Sequence, residues 1–381
     1  MNRLLKFLLV GMFLSILGSG INGQTLSIQV PPGDIITSQT TDFGAFRNIV
    51  TDVDPYTGKQ VYVWGEQDAS PSGTLNRDIW CAIYDKDQNL LIAPFRVNFD
   101  PTNDQAMQRV RINPNDQSFV ITWAGTNSGT WDIYAKKLKL NLTSSQSLQV
   151  KTVSDLLVNT TTAGSQYYPY PVFHGASGEL IIGFTGTGTN GTNDVFYQRV
   201  NYTGTLLQSI TGFTDQLINS VASTQVLNQN ITSMEYSTFS NQVILVYNSN
   251  ESGSYDVIRR MLSYTPASTN ITGTYSLDAE FIANTTTAQD QEYGTILINQ
   301  TTGSYAIAYQ SDGNKSGWGV YYKVFSSTGT LLKDEFSLPE MRWPMKSNIR
   351  KESGMNVPIC LCISSRITTE AIPICGAVWW M

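Results

Sequence analysis

An all-β fold, a β-propeller of four-stranded blades of about sixty residues each, is what this sequence predicts. Three observations carry the prediction. Five copies of one unit recur, each anchored on an apolar strand that ends in an aromatic: Val61–Trp64, Phe119–Trp123, Leu180–Phe184, Val243–Tyr247 and Tyr305–Tyr309. Each copy holds four short runs of strand character separated by turn residues. After the first twenty or so residues, no apolar pattern with the helical period of 3.6 appears. Radial blades bury one another's faces and leave only short edges exposed, which suits such a repeat better than a β-solenoid or a string of small sandwiches.

The chain opens with an export signal over residues 1–23. Arg3 and Lys6 give it positive charge, an apolar run spans Phe7 to Leu17, and Gly18, Ser19, Gly20 and Gly23 offer cleavage sites. The run is too short, and too soon followed by Gly and Ser, for a membrane span. Residues 24–340 form the repeat domain. Within each unit a shorter apolar-polar run precedes the anchor, as in Arg109–Ile112 before Phe119 and Tyr293–Ile298 before Tyr305. Turn residues such as Asn113-Pro114-Asn115-Asp116 join the two as a hairpin. The anchors, as the most apolar runs, are expected on the inner strands. A Gly/Ser/Asn loop follows each anchor, then an alternating third strand that opens with Asp in four copies, at Asp78, Asp132, Asp194 and Asp256. A fourth strand such as Leu331–Phe336 closes the unit.

Residues 26–37 resemble the end of a unit, and a free-standing outer strand at this position predicts ring closure through a sixth blade built with the tail. The tail, residues 341–381, is divergent. Its apolar stretches Val357–Ile363 and Ala371–Trp380 fit either a degenerate blade or an unrelated segment, and its basic residues Arg342, Lys346, Arg350 and Lys351 cluster where the repeat signature stops.

Written out, the unit is an apolar strand ending in Trp or Tyr, a Gly/Ser/Asn loop, Gly or Asp followed by Val/Ile-Tyr, a basic or Gln pair, and Thr-Gly-Thr-Leu-Leu, best seen from Tyr305 to Phe336. It resembles the secreted repeat of bacterial adhesin-type and ciliate surface proteins, over about residues 40 to 338. That resemblance implies a propeller-like domain and no particular activity. The first copy departs from it by a longer loop after Trp64, and the third and fourth by Phe184 and Tyr247 in place of Trp.

Charged residues are 14% of the chain, against about 25% in an ordinary soluble domain. Attached sugar can supply the missing solubility. Ten Asn-X-Ser/Thr sequons occur, at Asn141, Asn159, Asn190, Asn201, Asn230, Asn250, Asn270, Asn284, Asn299 and Asn314, each read as lying in or beside a turn. A net charge of −6 excludes a nucleic-acid partner and disfavours acidic membranes. Of the four cysteines, Cys81, Cys360, Cys362 and Cys375, only the first lies in the repeats, so no disulfide framework is expected.

Catalytic, cofactor and metal residues are not assigned. Loops such as Thr126–Asp132 and Ser311–Gly317 carry oxygen ligands of the kind Ca²⁺ takes, but too few acidic ones, so no cofactor is expected beyond that weak Ca²⁺ option. The recurring Asp reads as a cap on loop amides. His174, the only histidine, lies beside Gly175 and reads as a solvated turn residue; every Ser-His or Cys-His scheme would have to pass through it. Tyr167-Tyr168-Pro169-Tyr170 could stack on sugar rings, although strand tyrosines more often pack. The arginines show no common placement, which speaks against a sialidase site.

The expectation is a secreted or cell-surface glycoprotein that binds an extracellular protein or glycan in recognition, adhesion or a coat, without catalysis and with its oligomeric state open. The alternatives are a carbohydrate-active propeller enzyme and a lectin with one sugar site per blade. An enzyme requires asymmetry, with acidic residues converging on the central channel, whereas a lectin requires the same pocket in each blade.

Overall fold

The structure, a computed structural model, describes residues 47–67, 76–187, 191–202, 206–220, 228–266, 273–312, 319–337, 360–362 and 375–377. The chain divides into two compact units, Thr37–Trp343 and Met1–Ile36 with Pro344–Met381. The first holds five antiparallel blades, as expected of a β-propeller. Blade 1 is β1 (Arg47–Val53), β2 (Gln60–Gln67), β3 (Arg77–Tyr84) and β4 (Leu90–Arg96). Blade 2 is β5 (Gln105–Asn113), β6 (Ser118–Gly125), β7 (Asp132–Lys139) and β8 (Leu156–Leu157), with a short helix α1 (Ser144–Gln149) before its last strand. In blade 3, β9 (Gln166–His174), β10 (Glu179–Thr187) and β11 (Asn193–Asn201) are edged by β12 (Gln208–Ser209) and β13 (Gln216–Leu217). Blade 4 repeats this with β14 (Gln229–Ser237), β15 (Gln242–Ser249), β16 (Asp256–Thr265), β17 (Thr274–Leu277) and β18 (Phe281–Ile282). Blade 5 is β19 (Gln291–Ile298), β20 (Tyr305–Ser311), β21 (Gly319–Phe325) and β22 (Leu331–Ser337). In the second unit, β23 (Cys360–Cys362) pairs antiparallel with β24 (Cys375–Ala377). The strand expected over residues 26–37 lies outside the described residues. No helix among the described residues is long and apolar enough to cross a membrane.

The first strands of consecutive blades, β1, β5, β9, β14 and β19, adjoin one another and form the innermost layer. This corrects the place given to the anchors, which are the second strands. β6 is buried at every position because a blade lies against each of its faces, whereas β5 alternates between buried and half-buried residues because one of its faces looks into the channel. The anchor aromatics Trp64, Trp123, Phe184, Tyr247 and Tyr309 are all at most 2% exposed. Each polar tip among them has a partner. Trp64 donates to Glu66 at 3.0 Å, Trp123 to Gln105 at 2.9 Å and Tyr247 to Glu280 at 2.5 Å, while Tyr309 donates to Glu335.

The recurring Asp opens the third strand and holds a buried asparagine from the end of the same blade. Asn98, Asn159, Asn219 and Asn284 donate through Nδ2 to Asp78, Asp132, Asp194 and Asp256, at 2.7, 2.8, 3.0 and 2.6 Å. Their Oδ1 atoms accept the N–H that comes after each Asp, at Ile79, Ile133, Val195 and Val257. The aspartates are thus structural, as expected, although their main partner is a side-chain amide rather than the loop backbone. Both groups are buried, so loss of either leaves the other unsatisfied at a cost of about 1–3 kcal/mol.

The residue after each of these asparagines reaches the next blade. The backbone N–H groups of Phe99, Thr160, Ser220 and Thr285 donate to the carboxylates of Asp155, Asp215, Glu280 and Glu335. Every interface between consecutive blades therefore carries the same staple. Cations of the repeat's basic pair add to it: buried Lys136 donates to Val97 O of blade 1 at 2.7 Å and pairs with Asp155, and half-buried Arg260 donates to Ile218 O of blade 3.

Candidate active site in the central channel

The pairing of each innermost strand with its anchor strand fixes which residues share a level of the channel. Three residues before the anchor aromatic, the anchor strands place Val61, Val120, Ile181, Ile244 and Ala306, and opposite these stand Asp52, Arg111, Val172, Glu235 and Leu297. Three of the five blades carry a charge at this level, and they interact. Arg111 Nη2 lies 2.6 Å from Glu235 Oε1, an ion pair that reaches from blade 2 to blade 4, with side chains 31% and 29% exposed. Asp52 accepts the Ile112 N–H at 2.7 Å through Oδ2 and the Val53 N–H at 3.0 Å through Oδ1.

Burial sets the electrostatics. It pushes the Asp52 carboxyl above its ordinary value, against the pull of Arg111 and of the two N–H donors. Glu235 is raised for the same first reason, with Arg111 opposing and Asp52 adding to the rise. For Arg111 burial works against the charge, but Glu235 and Asp52 overcome it and hold the guanidinium above its ordinary value. Two carboxyls of raised pKa thus flank one fixed cation.

One strand step of two residues toward the start of β5, the next level holds Val50, Arg109, Tyr170, Ser233 and Thr295. Arg109 donates to the Tyr170 hydroxyl at 3.1 Å, and its guanidinium carbon lies 4.8 Å from the ring centre. Just beyond, the innermost strands bulge, and Met107, Tyr168 and Tyr293 take equivalent positions with φ of 59°, 53° and 56°. Left-handed backbone at a bulky side chain costs energy and is retained where the surroundings over-determine it, commonly at ligand sites. Burial, and then the neighbouring Tyr293, Tyr167 and Tyr170, hold the Tyr168 hydroxyl above its ordinary value.

The residues singled out by sequence are placed unequally. Of the sequons, Asn141 is exposed, and Asn201, Asn230, Asn250 and Asn299 are half-buried, Asn230 inside β14 rather than in a turn. Asn190, Asn270 and Asn314 lie outside the described residues. Asn159 and Asn284 are corrections: they are 2% and 4% exposed, and the Nδ2 atom to which a glycan would attach is committed to Asp132 and Asp256. Tyr168 and Tyr170 reach the channel level, while Tyr167 lies between Trp131 and Tyr168, with ring centres 6.4 and 6.1 Å away. Among the described residues no group of three His, Cys, Asp or Glu is placed to hold a metal ion.

His174 is not a solvated turn residue. It is 1% exposed, enclosed by Tyr236, Tyr264 and Tyr275, with Nδ1 2.9 Å from Ser177 Oγ and Nε2 3.3 Å from Asn241 O. The carbonyl at Nε2 requires the proton there, which leaves Nδ1 as the acceptor. Burial lowers its pKa below the ordinary 6.5, the Asn241 bond and Glu179 opposing. Above pH 6.5 the histidine is neutral in both folded and unfolded chains, and its contribution to stability is complete. As pH falls below 6.5 the unfolded chain takes up a proton that the folded chain refuses, so stability declines, by at most about 1.4 kcal/mol per pH unit. The raised carboxyls of Asp52 and Glu235 act with the opposite sign, so the histidine is isolated by difference. Urea midpoints of wild type and His174→Gln are expected to converge on acidification from pH 7 to 5, and a constant gap would count against a neutral buried His174.

No protein-family model matches the chain, and no curated protein matches it in sequence. Solved structures of similar fold include the Penicillium chrysogenum α-L-arabinanase complexed with arabinobiose, at 11% identity and TM-score 0.45, covering 76% of this chain and 80% of that one. The Fusarium graminearum GH93 α-L-arabinofuranosidase is 10% identical with a TM-score of 0.42, covering 72% and 73%. A Hadza microbial sialidase, Hz136, is 12% identical with a TM-score of 0.44, covering 77% of this chain and 58% of that one. The likeness is one of fold alone. The channel of this chain holds the asymmetric, convergent acidic pair that an enzyme requires, Asp52 and Glu235 on either side of Arg111. The expectation of a non-catalytic recognition or coat module is corrected accordingly.

Proposed function

We propose that this chain is a carbohydrate-active propeller that cleaves glycosidic bonds at the Asp52–Arg111–Glu235 level of its channel. The observation that carries the reading is the register: three blades place charge at a position where the other two place Val172 and Leu297, so the site is single and asymmetric. A per-blade lectin is disfavoured by the same fact. Glycoside hydrolysis needs two carboxyl groups in different states, one to protonate the leaving oxygen and one to accept a proton from water or to attack the sugar. Asp52, fixed by two backbone N–H donors that favour its ionised form, suits the second role. Glu235 suits the first: its contact with Arg111 stores it as a carboxylate, and a substrate hydroxyl that displaces the arginine leaves burial free to favour the protonated acid. Arg111, so released, is free to donate to substrate hydroxyls. The sequons and the signal-like residues 1–23 support a secreted glycoprotein that meets such polymers outside the cell.

The test is a screen of the full chain against plant and microbial polysaccharides, with linear arabinan among the first probes, read as new reducing ends. Turnover of one polymer class is expected. Failure to cleave any of them, by protein shown to be folded, overturns the reading.

A further inference from the structure

We infer that Arg109 makes this channel a receptor for a carboxylated sugar, a uronic acid residue held next to the cleavage site; the inference deepens the function proposed above and rests on the same channel. The other arginines whose side chains are described are engaged by carboxylates or by backbone carbonyls. Arg77, Arg96, Arg111, Arg199 and Arg259 each have a carboxylate within ion-pair distance, and Arg260 is engaged by the carbonyl oxygens of Ile218 and Asp278. Among the described residues Arg109, like Arg260, has no carboxylate at that distance, but where Arg260 is held by backbone carbonyls of two blades, Arg109 faces the channel and spends its donors on its neighbour Gln108 O, at 2.9 Å, and on the Tyr170 hydroxyl. It is half-buried on the channel-facing side of β5, two residues from Arg111, which is about 7 Å along the strand.

A half-buried guanidinium without a counter-charge is costly unless an anion completes it. The surrounding groups specify which anion. The planar fork matches a carboxylate in two parallel bonds, and the Tyr170 hydroxyl, already bonded to Arg109, offers a further donor to the same oxygen. Tyr168 and Tyr293, held left-handed at the bulges, bring amphipathic rings of the kind that pack on a sugar face. A free inorganic anion would leave those rings unused. The carboxylates of Asp52 and Glu235 stand one strand step away, engaged by Arg111 and the Ile112 and Val53 N–H groups, and neither forms an ion pair with Arg109 that an incoming carboxylate would have to displace.

The experiment is calorimetric titration of the full chain with an oligogalacturonate and an oligoglucuronate, each against its neutral methyl ester. At low salt one acid is expected to bind at least tenfold more tightly than its ester, with the preference shrinking as salt rises. Arg109→Gln should erase the preference, and Tyr170→Phe, which keeps the charge and the ring, should weaken acid binding severalfold. Equal affinity for acid and ester, no binding of either acid, or a preference that survives Arg109→Gln would each overturn the inference. Should Arg109→Gln not fold, unchanged acid binding by Tyr170→Phe would overturn it instead. The two readings fail separately. Acid-selective binding without cleavage of any glycan removes the hydrolase and leaves the receptor, while cleavage of neutral glycans without acid preference does the reverse.

Discussion

Glu235→Gln is expected to lower kcat by about 10²–10⁴-fold on whichever polymer the chain cleaves, the range that a positioned general acid contributes. Gln keeps the volume of the side chain and can still accept a hydrogen bond from Arg111, so substrate binding should be little changed and the loss should fall on kcat rather than KM. Asp52→Asn is expected to cost a comparable factor through a different route, since the amide still occupies its place against Ile112 but no longer draws a proton from water. A neutral amide at this half-buried position also removes one of the two charges that balance the Arg111 guanidinium. Circular dichroism of both variants should match the wild type. Steady-state kinetics in which either variant keeps more than about a tenth of wild-type kcat would remove that residue from the acid–base pair.

Trp123→Ala carries the largest expected effect on stability, about 3–5 kcal/mol. The indole is fully buried in β6, stacks near Tyr134 with ring centres 6.3 Å apart, and donates to Gln105 at the head of β5. Removing it opens a cavity between blades and leaves the Gln105 oxygen without that donor. Trp123→Phe separates the two contributions: it retains most of the volume and should cost about 1–3 kcal/mol, the penalty for the unsatisfied amide. Urea unfolding at constant m is the measurement. Equal losses in the two variants would assign the effect to the hydrogen bond, and a loss below about 1 kcal/mol in Trp123→Ala would deny the anchor its role. Gly125 reports on the same contact, because a Cβ there would lie 2.1 Å from Gln105 Oε1. A side chain at that point would have to push the Gln105 amide out of its bond with Trp123.

The architecture was legible because its signals are local. An apolar run ending in an aromatic, and an Asp that opens the next strand, repeat at the level of single strands and survive Trp-to-Phe and Trp-to-Tyr exchange. Their exact positions within the blade were not legible: an anchor strand buried on both faces and an innermost strand lining a narrow channel both read as apolar segments, and only packing tells them apart. The channel site was hidden for a further reason. Asp52, Arg111 and Glu235 each stand twelve residues before their anchor aromatic, as Val172 and Leu297 do, but charge at this place in three units of five is not a repeat signal, and the sequence does not show that the place faces the channel. The buried asparagines did leave a signal, an apolar residue followed by Asn at Val97-Asn98, Val158-Asn159, Ile218-Asn219 and Ala283-Asn284. Two of these also satisfy the glycosylation pattern, and that second meaning obscured the first.

The carboxylate staples between blades run in one direction. Blades 1 to 4 each give a backbone N–H, one residue after the buried asparagine, and blades 2 to 4 receive one on an acid four residues before their own asparagine, at Asp155, Asp215 and Glu280. A unit of this kind carries both halves of its own joint, so a stretch of DNA encoding one blade can be copied into the array and arrive already able to dock on the blade before it and to accept the blade after it. Blade 1 is where that grammar ends: the position four residues before Asn98 is Pro94, which has no carboxylate to offer, and the position equivalent to Lys136 and Arg260 is Ala82. The array is thus built to lengthen by gain of whole units behind its first blade, and whatever meets the leading edge of that blade must be joined by other means.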